Sequence, residues 1–255
     1  MALEARLKFV KMYGMKDQHK ASKVTILIPA YNEGTVIGSV IDKLLKDLKR
    51  TGLEKATVVV INDGSKDNTA QEVRKRSGVT LVSHILNSGA GAAIRTGLSY
   101  ARDTGADYAV TMDADGQHDS EDVARVVQEL VKDNSDIVIG SRLINAEGMP
   151  WYRILGNKGL SFFTFTLFGL WVRDSQSGLR GFNRKALERI TFHSNNYTYN
   201  SELMWRIKQN KLKVKEIPIK AIYSEYSLAK GQSNWEVVHI VRQLLKYRFL
   251  EFFNG

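Results

Sequence analysis

Runs rich in valine and isoleucine alternate with amphipathic stretches along the first part of the chain. The runs are VTILIP (24–29), ATVVVIND (56–63), VTLVSH (79–84), DYAVTMD (107–113) and DIVIGS (136–141). The stretches between them carry apolar residues at helical spacing, as Val36, Val40 and Leu44 do after the first run. This alternation predicts an α/β fold, with a mostly parallel sheet covered by helices on both faces.

A polar loop follows each of these predicted strands. The loops are AYNEG (30–34), NDGSKDNT (62–69), LNSGAGAA (86–93), DADGQH (113–118) and GSR (140–142). Ligands of such sheets bind beyond the carboxyl ends of the strands, where the connecting loops gather. We therefore predict a single functional site built from these loops.

The pattern changes after Pro150. An aromatic-rich helical region comes first, then the polar stretch DSQSGLRGF (174–182), then a mixed segment with two more strand-like runs. The length of 255 residues fits one large domain, and no stretch has the composition of a linker. We divide the chain into a basic amphipathic segment (1–22), an α/β domain (23–232) with a helical C-terminal elaboration, and a C-terminal amphipathic helix (233–255).

The net charge of +10 and the absence of cysteine limit the kinds of partner and the kinds of metal site that we expect. A strongly basic chain attracts an anionic partner, which is a nucleic acid, a phosphorylated substrate or a lipid surface. The basic residues are scattered without a nucleic-acid motif, so no nucleic-acid partner is expected. The lack of cysteine excludes disulfides and thiolate ligands and suits a reducing compartment. The five histidines lack the spacing of a zinc site.

Three carboxylates lie close together in TMDADGQHD (111–119), directly after a predicted strand. Hard cations such as Mg²⁺ and Mn²⁺ take oxygen ligands, commonly one or two carboxylates together with substrate phosphates. Asp113 and Asp115 are therefore candidate metal ligands, with Gln117 or His118 as a further ligand or hydrogen-bonding group. A solvated acidic loop is the alternative, but the position beside four other polar loops favours a metal.

Two other loops allow either a binding role or a structural one. Asp63 could accept hydrogen bonds from a base or ribose, or it could belong to a plain turn in which Asp67 or Asn68 caps the next helix. The glycines of NSGAGAA (87–93) could cradle a phosphate, or they could bring a helix close to the sheet. The sequence leaves both pairs of alternatives open.

Three segments could contact a membrane surface. Both ends of the chain have basic amphipathic patterns, and the aromatic stretch SFFTFTLFGLWV (Ser161–Val172) is too short to cross a bilayer. Two of the three have a packed alternative, which is a buried helix for the aromatic stretch and a docked helix or dimer contact for the C-terminal one. We predict peripheral association with the cytoplasmic face of a membrane, because basic ends are drawn to anionic lipid.

Six motifs, taken in order, resemble those of glycosyltransferase family 2. They are IPAYNE, VVVINDGSKDNT, LNSGAGAAIRTG, MDADGQHDSED, IVIGSR and DSQSGLRGF, and the similarity runs from about Val24 to Ser233. The most similar branch is that of the polyprenyl-phosphate transferases, which includes the dolichyl-phosphate mannose and glucose synthases. The resemblance implies a GT-A fold over the α/β domain. It also implies an inverting, Mg²⁺- or Mn²⁺-dependent transfer of a hexose from a nucleoside-diphosphate sugar to a polyprenyl phosphate.

The resemblance also implies a role for each matching position. The nucleotide-contacting positions are Pro29, Tyr31, Glu33, Asp63, Gly89, Asp113 and Ala114. The metal positions are Asp113, Asp115 and Gln117, and the catalytic positions are Asp174 and Arg142. The acceptor and phosphate positions are Arg153, Asn157, Lys158, Gln176, Ser177, Arg180 and Lys230. Two positions depart from the family pattern, since Asn157 stands where mannose synthases carry serine and Lys230 stands where many relatives carry arginine.

The donor and the acceptor are less strongly specified. The stretches DADGQHD and YSLAKGQ look more like those of glucosyl and other hexosyl transferases than like those of mannose synthases, which favours a UDP-hexose over GDP-mannose. A family 2 enzyme that glycosylates a saccharide or protein hydroxyl is an alternative. A second alternative is a non-catalytic basic module that binds a lipid surface or nucleic acid.

Overall fold

The computed structural model describes residues 22–220 together with Ile222 and Arg242. The strands in this part of the chain are β1 (Val24–Ala30), β2 (Thr57–Asn62), β3 (Val79–Ser83), β4 (Tyr108–Thr111), β5 (Ile137–Ser141), β6 (Arg180–Asn183) and β7 (Val214–Pro218). The helices are α1 (Ile37–Thr51), α2 (Thr69–Arg74), α3 (Ala90–Asp103), α4 (Ser120–Lys132), α5 (Trp151–Phe168), α6 (Arg184–Arg189) and α7 (Tyr199–Gln209). Most of the two predicted terminal segments, and Lys230, lie outside the described residues.

All seven described strands form one sheet, in the order β3-β2-β1-β4-β6-β5-β7. The pairs β1–β2, β2–β3, β1–β4 and β5–β7 are parallel. The five strands predicted from the apolar runs are all present, and their carboxyl ends share one edge of the sheet. The predicted α/β class with a mostly parallel sheet is therefore confirmed.

Strand β6 runs against both of its neighbours, β4 and β5, and its direction was not predicted from the sequence. Because it is reversed, its amino end lies where the other strands have their carboxyl ends. The residues before β6 consequently enter the edge of the sheet between the ends of β4 and β5. The hydroxyl of Thr111 donates to the carbonyl of Gly178 at 2.8 Å, and the N–H of Gly140 donates to the carbonyl of Leu179 at 2.9 Å.

Two apolar cores lie on the two faces of the sheet. Along β1, Ile26 and Ile28 pack into one core and Leu27 packs into the other, as expected for side chains that alternate across a strand. Helices α1 and α4 contribute to the first core, and α3, α6 and α7 contribute to the second. Burial on both faces explains why the strands read as continuous apolar runs.

Gly181 in β6 lies directly beneath α4. A methyl group there would lie 2.7 Å from Leu130 Cδ1 and would also overlap Val126. We expect Gly181→Ala to lower the free energy of unfolding by about 1–3 kcal/mol, because the core has no room for the added carbon. Chemical denaturation measures this change.

Gly159→Ala is the matched control, since nothing lies within 4 Å of a methyl group at that position in α5. It should be neutral or stabilise by up to about 1 kcal/mol, because alanine favours a helix over glycine. Equal losses in the two variants would contradict the packing of α4 against β6.

Candidate functional site

Asp113 follows β4 and lies at the edge of the sheet where the polar loops meet. The backbone of Gly178, in the loop before β6, packs against its carboxylate so closely that a methyl group at position 178 would overlap both oxygens. Nε2 of His118 lies 3.0 Å from Asp113 Oδ2. Burial opposes ionisation of Asp113, but the hydrogen bond from His118 and the charges of Arg142 and Arg180 hold its pKa below the ordinary value.

Asp115 lies two residues further on, in the same loop. Its Oδ1 accepts a hydrogen bond from the backbone N–H of Gln117 at 2.9 Å. Burial raises the pKa of Asp115 to about 6, and the nearby Asp113 carboxylate adds to the rise. Two carboxylates are therefore held close together without enough positive charge to stabilise both, which is the condition that a bound divalent cation relieves.

The donor set fits a hard cation that is completed by its substrate. In the part of the chain that the structure describes, no group of three or more histidine and acidic side chains is arranged to hold a metal ion. Mg²⁺ and Mn²⁺ do not need such a cage, since one or two carboxylates suffice when substrate phosphates supply further oxygens. Asp113, Asp115 and Gln117 remain the predicted metal positions.

Arg142 and Asp174 form an ion pair beside the metal positions. The backbone N–H of Arg142, its Nε and one terminal nitrogen donate to the Asp174 carboxylate at 3.0, 2.8 and 2.9 Å. Asp174 is 0% exposed and the Arg142 side chain is 12% exposed. Burial by itself would raise the pKa of Asp174, but Arg142 holds it below the ordinary value. The two predicted catalytic residues are thus in contact, with an ionised carboxylate that fixes the guanidinium.

The predicted acceptor residues in and just before β6 are buried or half-buried. Arg180 is only 2% exposed, and one of its terminal nitrogens donates to the carbonyl of Ser175 at 2.8 Å and to Asn200 Oδ1 at 2.6 Å. Gln176 is half-buried and accepts a hydrogen bond from Asn200 at 3.3 Å. Ser177 is fully buried. Arg180 therefore lies in the core behind the site and not on an open acceptor surface.

The loops after β1 and β2 are bound to each other. The N–H of Asn32 donates to the Ser65 hydroxyl at 3.0 Å, and the N–H of Gly34 donates to Asp67 Oδ2 at 2.9 Å. Further along, the N–H of Glu33 donates to the Thr69 hydroxyl at 2.8 Å. These bonds fix the backbone around the predicted nucleotide positions Pro29, Tyr31 and Glu33.

Asp67 also accepts from the N–H of Thr69, which confirms its predicted role at the start of the next helix.

Asp63 holds the loop that follows β3. Its carboxylate lies 2.7 Å from His84 Nδ1 and accepts the N–H groups of Ser88 at 2.9 Å and Gly89 at 2.7 Å. Asp63 is 2% exposed, and this role in holding the loop after β3 differs from the plain turn that the sequence suggested. A contact of Asp63 or Gly89 with a nucleotide stays a prediction, and His84 is a neighbour that sequence reasoning missed.

The glycines after β3 are required for close packing. The N–H groups of Gly91 and Ala92 donate to the carbonyl of Asn195 at 2.7 and 3.3 Å. A methyl group at Gly89 or Gly91 would overlap the backbone around Asn195, and Gly89 has a φ of 97° that favours glycine. The start of α3 is therefore occupied by the backbone of residues 194–195. These two glycines pack against that loop and not, as the sequence suggested, against the sheet, and a phosphate contact here stays a prediction.

Helix α5 carries the remaining predicted acceptor residues. Arg153 and Asn157 lie one helical turn apart and are half-buried, whereas Lys158 is exposed. One face of α5 is buried through Leu160 and Thr164. Large apolar side chains are exposed elsewhere on α5 and just after it, namely Trp151, Tyr152, Leu155, Phe162, Phe165 and Trp171. The stretch Ser161–Val172 covers only the second half of α5 and the residues just after it. It is neither fully buried nor fully exposed, so a membrane contact through it stays a prediction.

Comparison with known proteins identifies the family. The profile of glycosyl transferase family 2 matches residues 25–191, which is most of the α/β domain. The chain belongs to glycosyl transferase family 2. The prediction from the six motifs is confirmed, and the protein is a glycosyltransferase.

Its sequence relatives include transferases named for dolichyl or polyprenyl phosphate. The enzyme is 40% identical to the UDP-N-acetylglucosamine–dolichyl-phosphate N-acetylglucosaminyltransferase of Methanococcus voltae, over 82% of this chain and 89% of the relative. It is 27% identical to the polyprenol monophosphomannose synthase of Mycolicibacterium smegmatis, over 82% and 80% of the two chains. It is 25% identical to a dolichyl-phosphate β-glucosyltransferase of Dictyostelium discoideum, over 89% and 74%.

Solved structures confirm the fold of this family 2 glycosyltransferase. Glucosyl-3-phosphoglycerate synthase from Mycobacterium tuberculosis, in complex with Mn²⁺, UDP-glucose and phosphoglyceric acid, superposes with a TM-score of 0.68 at 20% sequence identity. The alignment covers 96% of this chain and 81% of that one. The predicted GT-A fold is thereby confirmed. In the part of the enzyme that the structure describes, no helix is both long and apolar enough to span a membrane.

The Arg142–Asp174 ion pair gives a direct test of the site geometry. We expect Asp174→Ala to lower the free energy of unfolding by about 3–5 kcal/mol, because it leaves the largely buried charge of Arg142 uncompensated. Urea unfolding followed by circular dichroism measures the change.

Asp103→Ala is the control for this prediction. Asp103 is paired with Arg102 on the surface, with 67% of its side chain exposed, so its removal should change stability by less than about 1 kcal/mol. A loss at Asp174 as small as that at Asp103 would contradict the buried pair.

Proposed function

We propose that the enzyme transfers a sugar residue from a UDP-sugar to the phosphate of a polyprenyl phosphate, with Mg²⁺ or Mn²⁺ as cofactor. The observation that carries the proposal is the meeting of Asp113 and Asp115 with the Arg142–Asp174 pair at one edge of the sheet. The relatives named for dolichyl and polyprenyl phosphates support the acceptor. Inversion at the anomeric carbon belongs to the proposal as a property of the family.

The two carboxylates are the proposed ligands of the metal ion. Asp113 and Asp115 would hold the cation, with Gln117 as a further ligand. The ion, when bound, would neutralise charge that develops on the leaving diphosphate and so lower the barrier to breaking the anomeric bond. His118 donates to Asp113 Oδ2 and thereby fixes the orientation of that ligand, as supporting groups commonly do at metal sites.

The state of Asp174 favours a phosphate over a hydroxyl as the acceptor. A hydroxyl needs a base to take its proton, and a base must be within reach of that proton. Both oxygens of Asp174 already accept hydrogen bonds from Arg142, and the carboxylate is buried. A phosphate monoester is ionised at neutral pH and needs little help from a base. In this account Asp174 orients Arg142, which stabilises phosphate charge.

The relatives give the order in which donors should be tested. The sequence favours UDP over GDP, and the relative with 40% identity is named for UDP-N-acetylglucosamine. UDP-N-acetylglucosamine is therefore the first donor to test, followed by UDP-glucose. GDP-mannose is the comparison, since a further relative is named as a phosphomannose synthase.

The exposed aromatic side chains of α5 support membrane association. Trp151 is 75% exposed and Phe162 is 58% exposed. Tryptophan and other aromatic side chains are favoured at the interface between lipid and water, and a cluster of exposed apolar groups marks an interaction surface. The positive charge of the chain complements anionic lipid. We infer that α5 helps to dock the enzyme peripherally on the cytoplasmic face of a membrane, where Arg153, Asn157 and Lys158 would meet the lipid phosphate.

Asp113→Asn tests the proposed reaction. We expect it to lower turnover by at least about 100-fold, because the cation loses a charged ligand that counts in the transition state. The assay mixes labelled UDP-sugar, Mn²⁺ and a polyprenyl phosphate, and it measures label that passes into organic solvent.

Asp119→Asn in the same acidic stretch is the control. Asp119 caps α4 by accepting the N–H of Glu121, and asparagine caps a helix equally well, so turnover should stay within about threefold. Undiminished turnover by Asp113→Asn would contradict the metal assignment. Transfer to a saccharide or protein without any lipid phosphate would support the hydroxyl alternative instead.

Vesicle flotation tests the role of α5. The double variant Trp151→Ser/Phe162→Ser should bind anionic vesicles at least about tenfold more weakly than the wild type, because each large apolar side chain that leaves water contributes roughly 1.5–3 kcal/mol.

Ile85→Ser/Leu86→Ser is the matched control, since both side chains are strongly exposed in the loop after β3 and neither belongs to α5. This control should bind vesicles like the wild type. Equal losses in the two double variants, or no flotation of the wild type, would contradict docking through α5.

A further inference from the structure

Glu216 on β7 binds the loop that carries Asp174. Both carboxylate oxygens of Glu216 accept the backbone N–H of Arg173 at 3.0 Å. Oε1 also accepts the backbone N–H of Asp174 at 3.2 Å. Glu216 belongs to none of the six motifs, and its sequence surroundings, VKEIP, read simply as a strand. Its connection to the site is visible only in the folded chain.

The same strand reaches two further parts of the site. Just beyond β7, the N–H of Ile219 donates to the carbonyl of Ser141 at 3.1 Å, next to Arg142. The N–H of Ile222 donates to the carbonyl of Gln117 at 2.8 Å, in the loop of the predicted metal ligands. Glu216, Ile219 and Ile222 therefore contact the Asp174 loop, the end of β5 and the loop of the predicted metal ligands in turn.

The contacts of Glu216 determine where the Asp174 carboxylate lies. The backbone N–H of Asp174 lies at a part-buried position, where a donor needs an acceptor, and Glu216 supplies a carboxylate oxygen for it. The two bonds from the exposed N–H of Arg173 hold the same carboxylate against the preceding peptide group. With its backbone held by Glu216, Asp174 presents both oxygens to Arg142. A displacement of about 1 Å in a positioning group can lower the rate by about 100-fold. Loss of the Glu216 contacts should therefore slow the transfer reaction.

We propose that Glu216 is a positioning residue of the transfer reaction, which holds the backbone of residues 173–174 so that Asp174 keeps Arg142 at the edge of the site. The catalytic part of this proposal rests on the proposed function. The structural part rests on the contacts alone and can be tested without substrate.

A stability cycle tests the structural part. It compares the wild type with Glu216→Ala, Asp174→Ala and the double variant by thermal unfolding. If Glu216 holds Asp174 in place, the fall in melting temperature of the double variant will be clearly smaller than the sum of the two single falls. The same cycle with Lys215→Met in place of Glu216→Ala is the control. Lys215 is bound to Glu129 in α4 and to Asp133 just after it, so the falls in melting temperature of Lys215→Met and Asp174→Ala should add.

Kinetics test the catalytic part. Glu216→Ala should lower kcat at least about tenfold, while the affinity for Mn²⁺ and UDP measured by calorimetry stays within about threefold. Glu216→Gln keeps an oxygen that can accept both N–H groups, so it should restore kcat to within about threefold of the wild type. Lys215→Met removes an ion pair from the same strand and should leave kcat unchanged.

Two results would overturn the proposal for Glu216 in an active enzyme. One is an additive stability cycle, and the other is a kcat that falls equally in Glu216→Ala, Glu216→Gln and Lys215→Met. A wild-type enzyme that transfers no sugar to polyprenyl phosphate would overturn the proposed function and the catalytic part with it. The stability cycle would then still decide whether Glu216 anchors Asp174.

Discussion

The reversal of one strand determines how this site is assembled. If β6 were parallel to its neighbours, the residues before it would lie at the opposite edge of the sheet from the polar loops. Because β6 is antiparallel, its amino end lies between the ends of β4 and β5, and the segment from Asp174 to Gly178 enters the site. Gly178 then packs against Asp113, and Asp174 meets Arg142. The predicted metal positions and the predicted catalytic pair are neighbours for this reason.

The balance of charge in the site follows from that arrangement. The hydrogen bond from His118 and the charges of Arg142 and Arg180 hold the pKa of Asp113 below its ordinary value, and Arg142 and Arg180 do the same for Asp174. Burial and the Asp113 carboxylate instead raise the pKa of Asp115 to about 6. Arg180 is a buried cation whose bonds go to a carbonyl and an amide and not to a carboxylate. A buried charge is costly unless it is compensated, and here the nearby carboxylates compensate it electrostatically. This balance supports the proposal that a cation binds on the side of Asp115 and that phosphate charge is met on the side of Arg142.

Local patterns in the sequence predicted much of the fold and part of the site. Five strands and the loops after them followed from apolar runs and from the rule that loops gather at the carboxyl ends of parallel strands. The direction of β6 could not be predicted, because its four residues, RGFN, carry no clear period and its neighbours in the sheet are distant in sequence. For the same reason, the sequence did not indicate that Asn195 occupies the start of α3 or that Glu216 binds the Asp174 loop. Each of these contacts joins residues more than 40 positions apart, so no local pattern records them.

A thermal-shift titration with UDP, GDP and CDP, each with and without Mn²⁺, tests the central claim most directly. The claim is that Asp113 and Asp115 hold a divalent cation that binds a nucleoside diphosphate. We expect UDP to raise the melting temperature only when Mn²⁺ is present, because a ligand that binds only the folded state stabilises it. Stabilisation by UDP that is independent of the metal, or no shift with any of the three nucleotides, would contradict it.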